Sequence, residues 1–505
     1  MTSALGAACS PQTGCATGML CMPMPGGYCT APCGVTGSAC DGACVEHPRA
    51  GELCMAKCTT DADCRTDEGY ACDPLRKACM MPNSGTILPK ACPGLAGYGR
   101  NPAFAPSVAL STSQAAGRYQ FEPSAVVTDD GGLVALYITG ARITDGNTLG
   151  LARVDAIGRA SPDLPFATGK PSNFDPWLAR GANGTLYATW LGFEGRGERQ
   201  EIGLARSTDR GVTWSPPLAV HEPADCPPGE RDCLDKPMVI TGPDPRLRTK
   251  ELVYVAYAAH GLRVRASRDG GRTFGPAATA LAGVYGNWVT GEDGTLHIVT
   301  LNGGLHGAYG SADHAIEYTA STDGAATFAK PARVSRYDEM LPFLFSNPSI
   351  ALDDRRGWLY IAYTRGGRDA KWDLVIAASK DRGKTWKRTR IGDDPPCSIH
   401  MVPNLALDPT TGSLHVAWYD HRGERPRFAH AICTPGAAKC AQQGRIDDQP
   451  FAALSTVRHA AKWIGEYQTL AIDDKRRTLH AVWTQTVDEA GQIVARVFHA
   501  KAKLR

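Results

Sequence analysis

The stretch Ser207-Thr208-Asp209-Arg210-Gly211-Val212-Thr213-Trp214 decides the fold, because it returns three times with its anchor positions aligned. The copies are Ser267-Arg268-Asp269-Gly270-Gly271-Arg272-Thr273-Phe274, Ser321-Thr322-Asp323-Gly324-Ala325-Ala326-Thr327-Phe328 and Ser379-Lys380-Asp381-Arg382-Gly383-Lys384-Thr385-Trp386. All follow S-x-D-x-G-x-T-[WF], except that Ala325 stands where Gly is expected. Their first serines are 60, 54 and 58 residues apart, a period that suits four strands and their connections. Ser and Asp side chains can bond to backbone N–H groups inside a tight turn, Gly relieves the turn sterically, and the aromatic packs under the sheet. The aspartates are therefore read as structural, not catalytic, and the turn carrying Ala325 is expected to be distorted.

Working outward, β-rich alternating runs recur between these turns. They are Leu133–Tyr137, Leu186–Trp190, Val253–Tyr257, Leu296–Val299, Leu359–Tyr363, Leu414–Trp418 and Leu479–Trp483. Each follows a turn such as Asp130-Gly131-Gly132 or Asn183-Gly184, and each is preceded by a further strand such as Pro348–Leu352 or Pro403–Leu407. The order within a unit is strand A, turn, strand B, loop, strand C, motif turn, strand D. Seven such units predict an all-β fold, a seven-bladed β-propeller. The last unit ends after strand C at 492–500, so the early segment 104–113 (FAPSVALSTS) is expected to supply its missing outer strand.

The cysteines divide the chain. Of 18, twelve lie between Cys9 and Cys79, one is Cys92, and five are scattered beyond it. A short segment with few large apolar residues needs cross-links to fold, so residues 1–92 read as a small disulfide-rich, loop-dominated module in an oxidising compartment. Its spacings Cys15-x5-Cys21-x7-Cys29 and Cys58-x5-Cys64-x7-Cys72 suggest a duplicated scaffold, and the absence of a CxxC pair argues against zinc. Residues 93–117 are read as linker and ring-closing strand, and 118–505 as the propeller. Cys433 and Cys440 fill the motif-turn slot of the sixth unit, Cys226 and Cys233 bracket a Pro-rich loop, and Cys92 is left either to pair with Cys397 or to stay unpaired or bridge between domains.

Met1 to Ala8 offers no basic and apolar leader, so a secreted or surface location implies a signal removed from this sequence, with a lipid anchor upstream as an option. No apolar run approaches the length that spans a bilayer. Net charge is +3, and Lys and Arg are mixed with Asp and Glu instead of forming a stripe, which argues against nucleic acid. The histidines lack metal-ligand spacing, and no metal or cofactor is implied.

With the motif turns at one end, the entries to strand A and the B–C loops open at the other, the candidate binding face. The residues just ahead of the A strands are Glu122, Asp175, Asp235 with Lys236, Asn287, Asn347, His400 and Glu466, and the B–C loops add Arg142, Arg365 and Arg422. Carboxylates ringed by arginines suit a carbohydrate or anionic sugar, since guanidinium forks bind carboxylates bidentately.

The four motifs are Asp boxes, and over residues 100–505 the chain resembles the sialidase (neuraminidase, BNR-repeat) superfamily. Tyr467-Gln468-Thr469-Leu470 looks like that family's Tyr-Ser-x-Leu segment. The resemblance implies Tyr467 as nucleophile with Glu466 as its base, Asp175 as acid/base by position, and Arg142, Arg365 and Arg422 as an arginine triad, an exception to two-carboxylate glycoside hydrolysis. It also makes six blades the alternative count. The family's Arg-Ile-Pro motif is here Gln120-Phe121-Glu122-Pro123, and losing such a clamp on a carboxylate costs about 1.5–3 kcal/mol. Leu234-Asp235-Lys236-Pro237 and Gly465-Glu466-Tyr467 look like a broader group of secreted bacterial Asp-box propellers, and the Cys-rich leader is similar to modules on exported bacterial proteins. Three readings follow: glycan recognition, with Glu122, Asp235, Asn347, His400 and the arginines contacting the sugar; an exo-sialidase-type glycoside hydrolase; and a protein-binding adhesion scaffold.

Overall fold

The computed structural model describes residues 4–504 apart from 11–12, 23–25, 34–39, 48–50, 69, 74–76, 81–98, 112–118, 141–145, 195–198, 228–229, 231–232, 284, 303–314, 337–340, 342–346, 367–371, 392–397, 422–424, 438 and 453–463. Among the described residues every regular element is a strand or a single 3-10 turn.

Residues 4–80 form three short hairpins, each held by two interleaved disulfides. Cys9–Cys21 with Cys15–Cys29, Cys33–Cys44 with Cys40–Cys54, and Cys58–Cys72 with Cys64–Cys79 repeat one connectivity, first to third and second to fourth. The scaffold is thus triplicated, and the correct register aligns Cys9, Cys15, Cys21 and Cys29 with Cys58, Cys64, Cys72 and Cys79. The duplication expected from Cys15-x5-Cys21 was one cysteine out of step, because only the first and third units share similar spacings. Closing a loop of about 15 residues stabilises by about 3 kcal/mol. Six of them support a core as small as Tyr28, Val45, Leu53, Met55, Tyr70, Ala78 and Met80. Arg65 ties the ends together, its guanidinium 4.6 Å above the Tyr70 ring and donating to Gly27 O at 2.6 Å.

Beyond residue 107 the described strands form three four-stranded antiparallel sheets and two eight-stranded ones, in each of which one parallel bridge (Trp372 with Ile399, Ala495 with Tyr119) joins two antiparallel groups of four, giving seven such groups. Their A strands are Tyr119–Val127, Ser172–Arg180, Asp235–Asp244, Tyr285–Thr290, Ser349–Asp353, Ile399–Leu407 and Thr469–Asp473. The B strands, such as Leu133–Gly140 and Leu186–Phe193, are buried on both faces, as expected where sheets are covered on each side. A strands of successive units pack on one another in chain order, and that of unit 7 packs on that of unit 1. Short polar side chains stitch most of these seams: Ser124 Oγ accepts from Leu178 N (2.9 Å), Ser349 Oγ from Leu405 N (3.0 Å), Asn404 Oδ1 from Leu470 N (3.1 Å) and Thr469 Oγ1 from Ala125 N (3.0 Å). The fourth strand of unit 7 comes from the other end of the domain. Val108–Ala109 pairs antiparallel with Gln492–Lys503, extended by Ala105 N to Lys501 O (2.8 Å) and Leu110 N to Val497 O (2.8 Å).

All four Asp boxes share one bonding scheme. In the first, Ser207 Oγ donates to Asp209 Oδ1 (2.7 Å) and accepts from Gly211 N (2.8 Å), while Thr213 donates to both Asp209 oxygens (2.9 and 2.6 Å). The Ala325 turn is not distorted: Ala325 N reaches Ser321 Oγ at 2.9 Å and Thr327 reaches Asp323 at 3.0 and 2.6 Å. Instead Ala325 adopts φ 65°, close to the 78° of Gly211, so the misfit sits in one backbone torsion. In unit 6 the Cys433–Cys440 disulfide occupies the slot, and Gly436 N donates to Tyr360 OH of unit 5 at 2.9 Å. Cys226–Cys233 also forms, whereas Cys92 and Cys397 lie outside the described residues.

Candidate functional site

Proline recurs in the A strands directly after a polar or bulky residue: Glu122-Pro123, Asp175-Pro176, Lys236-Pro237 and Val402-Pro403. Proline cannot donate to a ladder, so pairing slips at each of these points, between Phe121 and Ser124, Phe174 and Trp177, Asp235 and Met238, and Met401 and Asn404. The residue before each proline takes a positive φ: Glu122 55°, Asp175 50°, Lys236 43° and Val402 49°. Non-glycine residues held in this region cost about 1–3 kcal/mol each and cluster where a side chain must be aimed. Of the residues expected ahead of the A strands, Glu122, Asp175, Asp235, Lys236 and His400 lie within strands that continue through the bulges, and Asn287 lies within Tyr285–Thr290, which pairs without a bulge.

The bulges at Asp175 and Lys236 aim two charges at a point that Glu466, ahead of the unit 7 A strand, also reaches. Lys236 Nζ lies 2.7 Å from Asp175 Oδ1 and 2.7 Å from Glu466 Oε2, all three side chains being buried. It also sits 5.3 Å from the Tyr467 ring centroid and 5.5 Å from that of Tyr285. Burial alone would draw the ammonium down, but Asp175, Glu122, Glu466 and Asp235 together outweigh it and hold Lys236 well above the usual lysine range. Units 1, 2, 3 and 7 therefore each contribute to one buried ion cluster. Gly465 (φ 83°) makes room for it: a Cβ there would lie 2.3 Å from Glu122 Cγ.

Tyr467 joins this cluster through its face and through its hydroxyl, which donates to Pro176 O at 3.3 Å, with the Trp177 ring 5.6 Å away. Burial, then the charges of Glu122 and Asp175, push the hydroxyl well above its ordinary value. An attacking phenolate requires the opposite shift.

The remaining expected residues are dispersed. Asn347 Nδ2 donates to Glu466 O at 3.3 Å and so borders the cluster, and Asp235 accepts from Lys236 N at 2.9 Å. His400 belongs to a separate buried pair, its Nε2 3.7 Å from Asp420 Oδ2. Arg365, expected in a loop, lies in the strand Trp358–Gly366 with its guanidinium 2.9 Å from Asp373 Oδ2. Arg142 and Arg422 lie outside the described residues. Sequence reasoning named Lys236 and Gly465 without giving either this role and did not single out Trp177 or Tyr285; the repeated X-Pro inside A strands is a signal for Lys236 and Trp177.

No protein-family model matches the chain, and no curated protein does. Among solved structures, a Dyadobacter fermentans protein of unknown function aligns at 12% identity and TM-score 0.47, covering 80% of this chain and 100% of that one. An intramolecular trans-sialidase from Ruminococcus gnavus aligns at 11% and 0.44, covering 62% and 92%. A Penicillium chrysogenum α-L-arabinanase aligns at 15% and 0.44, covering 66% and 99%. None of these scores reaches 0.5, and the functional reading below stands on this chain's own residues.

Proposed function

We propose that the chain is an extracytoplasmic seven-bladed β-propeller (residues 118–505, closed by a strand within 93–117 and preceded by the disulfide module 1–92) that recognises carbohydrate at its axis. The seven antiparallel groups of four, the cyclic packing of A strands and the pairing of Val108–Ala109 with Gln492–Lys503 support the ring. The eight disulfides among described residues support an oxidising environment.

The observation that carries the function is the convergence of Glu122, Asp175, Lys236 and Glu466 on one point, three of them from strained backbone positions. Strain concentrated in one cluster marks function more often than stability. Carboxylates bind sugar hydroxyls, and the partly exposed Trp177 ring beside them is the apolar complement such a ligand uses. Hydrolysis of the sialidase type is the second reading, favoured by Tyr467, Glu466 and Asp175 meeting around one cation. Binding ranks first because the Tyr467 hydroxyl is held protonated and Arg365 is taken up by Asp373.

A glycan array on the full chain, run beside a fluorogenic sialoside, tests this. Saturable array binding without turnover, retained in Tyr467→Phe and weakened about tenfold in Asp175→Asn, is the expected result. Turnover that Tyr467→Phe abolishes would transfer the site to the hydrolase reading, and an empty array without turnover would remove both.

A further inference from the structure

A second site lies at the far end of the unit 7 A strand from Glu466. There the closing segment 102–105, the A–B turn after Asp473 and the end of Gln492–Lys503 enclose a cleft of about 920 Å³. Its lining carries Lys475, Arg476, Arg477, Lys501 and Lys503 and no acidic residue.

The strand geometry explains the clustering. Lys501 and Lys503 flank the buried Ala502, so both project to one face of the strand. Phe104 bridges Ala502, which makes the closing segment one wall of the cleft. Lys501 Nζ donates to Ala156 O at 2.9 Å and Lys503 Nζ to Arg476 O at 2.8 Å, each bond using one of an ammonium's three donors.

The charges do not cancel. Arg477 is matched by Asp408 (Nη2 to Oδ2 2.8 Å) and Arg476 by Asp473 (3.1 Å). Two further carboxylates lie nearby: Asp474 in the same turn, whose charge acts on Arg477, and Asp129, held by Arg210 at 2.6 Å. Among the described residues no carboxylate forms an ion pair with Lys475, Lys501 or Lys503, and five cations in and around the lining face three carboxylates, Asp408, Asp473 and Asp474, so the concave surface keeps a net positive charge. Such a surface raises the local concentration of anions and binds those with several oxygens best.

We propose that this cleft is an anion site for a ligand bearing more than one tetrahedral oxyanion, a phosphate or sulfate ester. It depends on the closing segment and not on the axial cluster, so it stands or falls separately from carbohydrate binding at the axis.

Calorimetry on the full chain with inorganic tripolyphosphate, and separately with a sulfated heparin oligosaccharide, tests it. One-to-one binding is expected, weakening as salt rises from about 50 to about 500 mM, and falling about tenfold in Lys501→Ala/Lys503→Ala. Because those lysines also bond backbone carbonyls, exposed Lys475→Ala supplies a variant that leaves the fold intact, with a several-fold loss expected. Binding of tripolyphosphate alone identifies a phosphate ligand and of the oligosaccharide alone a sulfated one. Failure of both to bind, or affinity unchanged in Lys475→Ala and in the double variant, overturns the site.

Discussion

The molecule uses carboxylates in two regions by opposite means. In the Asp-box turns each aspartate is satisfied within eight residues of chain, by its own Ser and Thr and by backbone N–H groups. Hydrogen bonds led by Thr213 and Thr385 hold Asp209 and Asp381 down at about 2. At the axis, Asp175 and Glu466 come from two units and pair with one lysine from a third, on which Glu122 of a fourth also acts. The first arrangement is local and survives in any context that forms the turn. The second exists only if the A strands meet, so it reports on the whole domain.

Acid should separate the Asp boxes most strongly from the buried histidines of units 4, 6 and 7, whose neutrality likewise depends on packing. Burial holds His297, His415 and His480 down at about 4 and His430 and His499 at about 3, with His415–His430 and His480–His499 stacked as neutral pairs. Their folded values lie below the unfolded value of about 6.5. The native state therefore binds fewer protons in that window, and stability falls as pH drops from about 6.5 towards 4. Each excluded proton contributes at most about 1.4 kcal/mol per pH unit. The Asp boxes lose stability only lower, between the ordinary carboxylate value and about 2. Thermal melts from pH 7 to 4 should thus show a steep decline that His430→Gln flattens; a midpoint constant to pH 4 would contradict the buried neutral histidines.

Next in size is Lys236→Met, which strands Asp175 and Glu466 without their cation. Removing one partner of a buried ion pair costs about 3–5 kcal/mol, and adding Glu466→Gln should recover part of it. Urea denaturation reads the difference, and a loss below about 1 kcal/mol would mean that the axial cluster is solvated.

The contrast also explains what the sequence made legible. The Asp boxes, the strand B runs and the cysteine staple at 433–440 are local patterns, visible wherever turn chemistry and period-2 alternation recur. The axial cluster is visible only in part: Glu122, Asp175, Glu466 and Tyr467 stand out by position, but which of the candidates converge depends on bulges, and a bulge turns a side chain by slipping register. Lys236 was named beside Asp235, but its role as the shared cation was not legible, because which carboxylates surround it depends on strands from other units. His400 and Arg365 were chosen on the same positional logic, yet each is taken by a partner in its own unit, Asp420 and Asp373. In the disulfide module the cysteines were legible and the repeat register was not, since the middle unit has different spacings.

Within the turns, Gly383→Ala should cost about 2–4 kcal/mol. A Cβ at Gly383 (φ 85°) would meet Tyr318 Cε1 at 2.2 Å, adding overpacking to the left-handed penalty. The same change at Gly211 should cost less, because the nearest atom there is Val134 Cγ2 at 3.1 Å. Chemical denaturation of the two variants should rank them in that order.

The smallest effect is expected at Ala325→Gly, the reverse substitution in the third box. Ala325 already occupies the left-handed position at φ 65° with its bonds to Ser321 intact. Glycine would relieve about 1–2 kcal/mol of backbone strain. It would also remove a methyl that is 4% exposed within the core cluster that includes Leu252 and Leu296, a loss of about 0.8 kcal/mol. The two terms nearly cancel, so stability should change by no more than about 1 kcal/mol, in the stabilising direction. A larger loss would mean that the methyl's packing fixes the turn, and that the third Asp box keeps alanine for the contact its backbone strain makes possible.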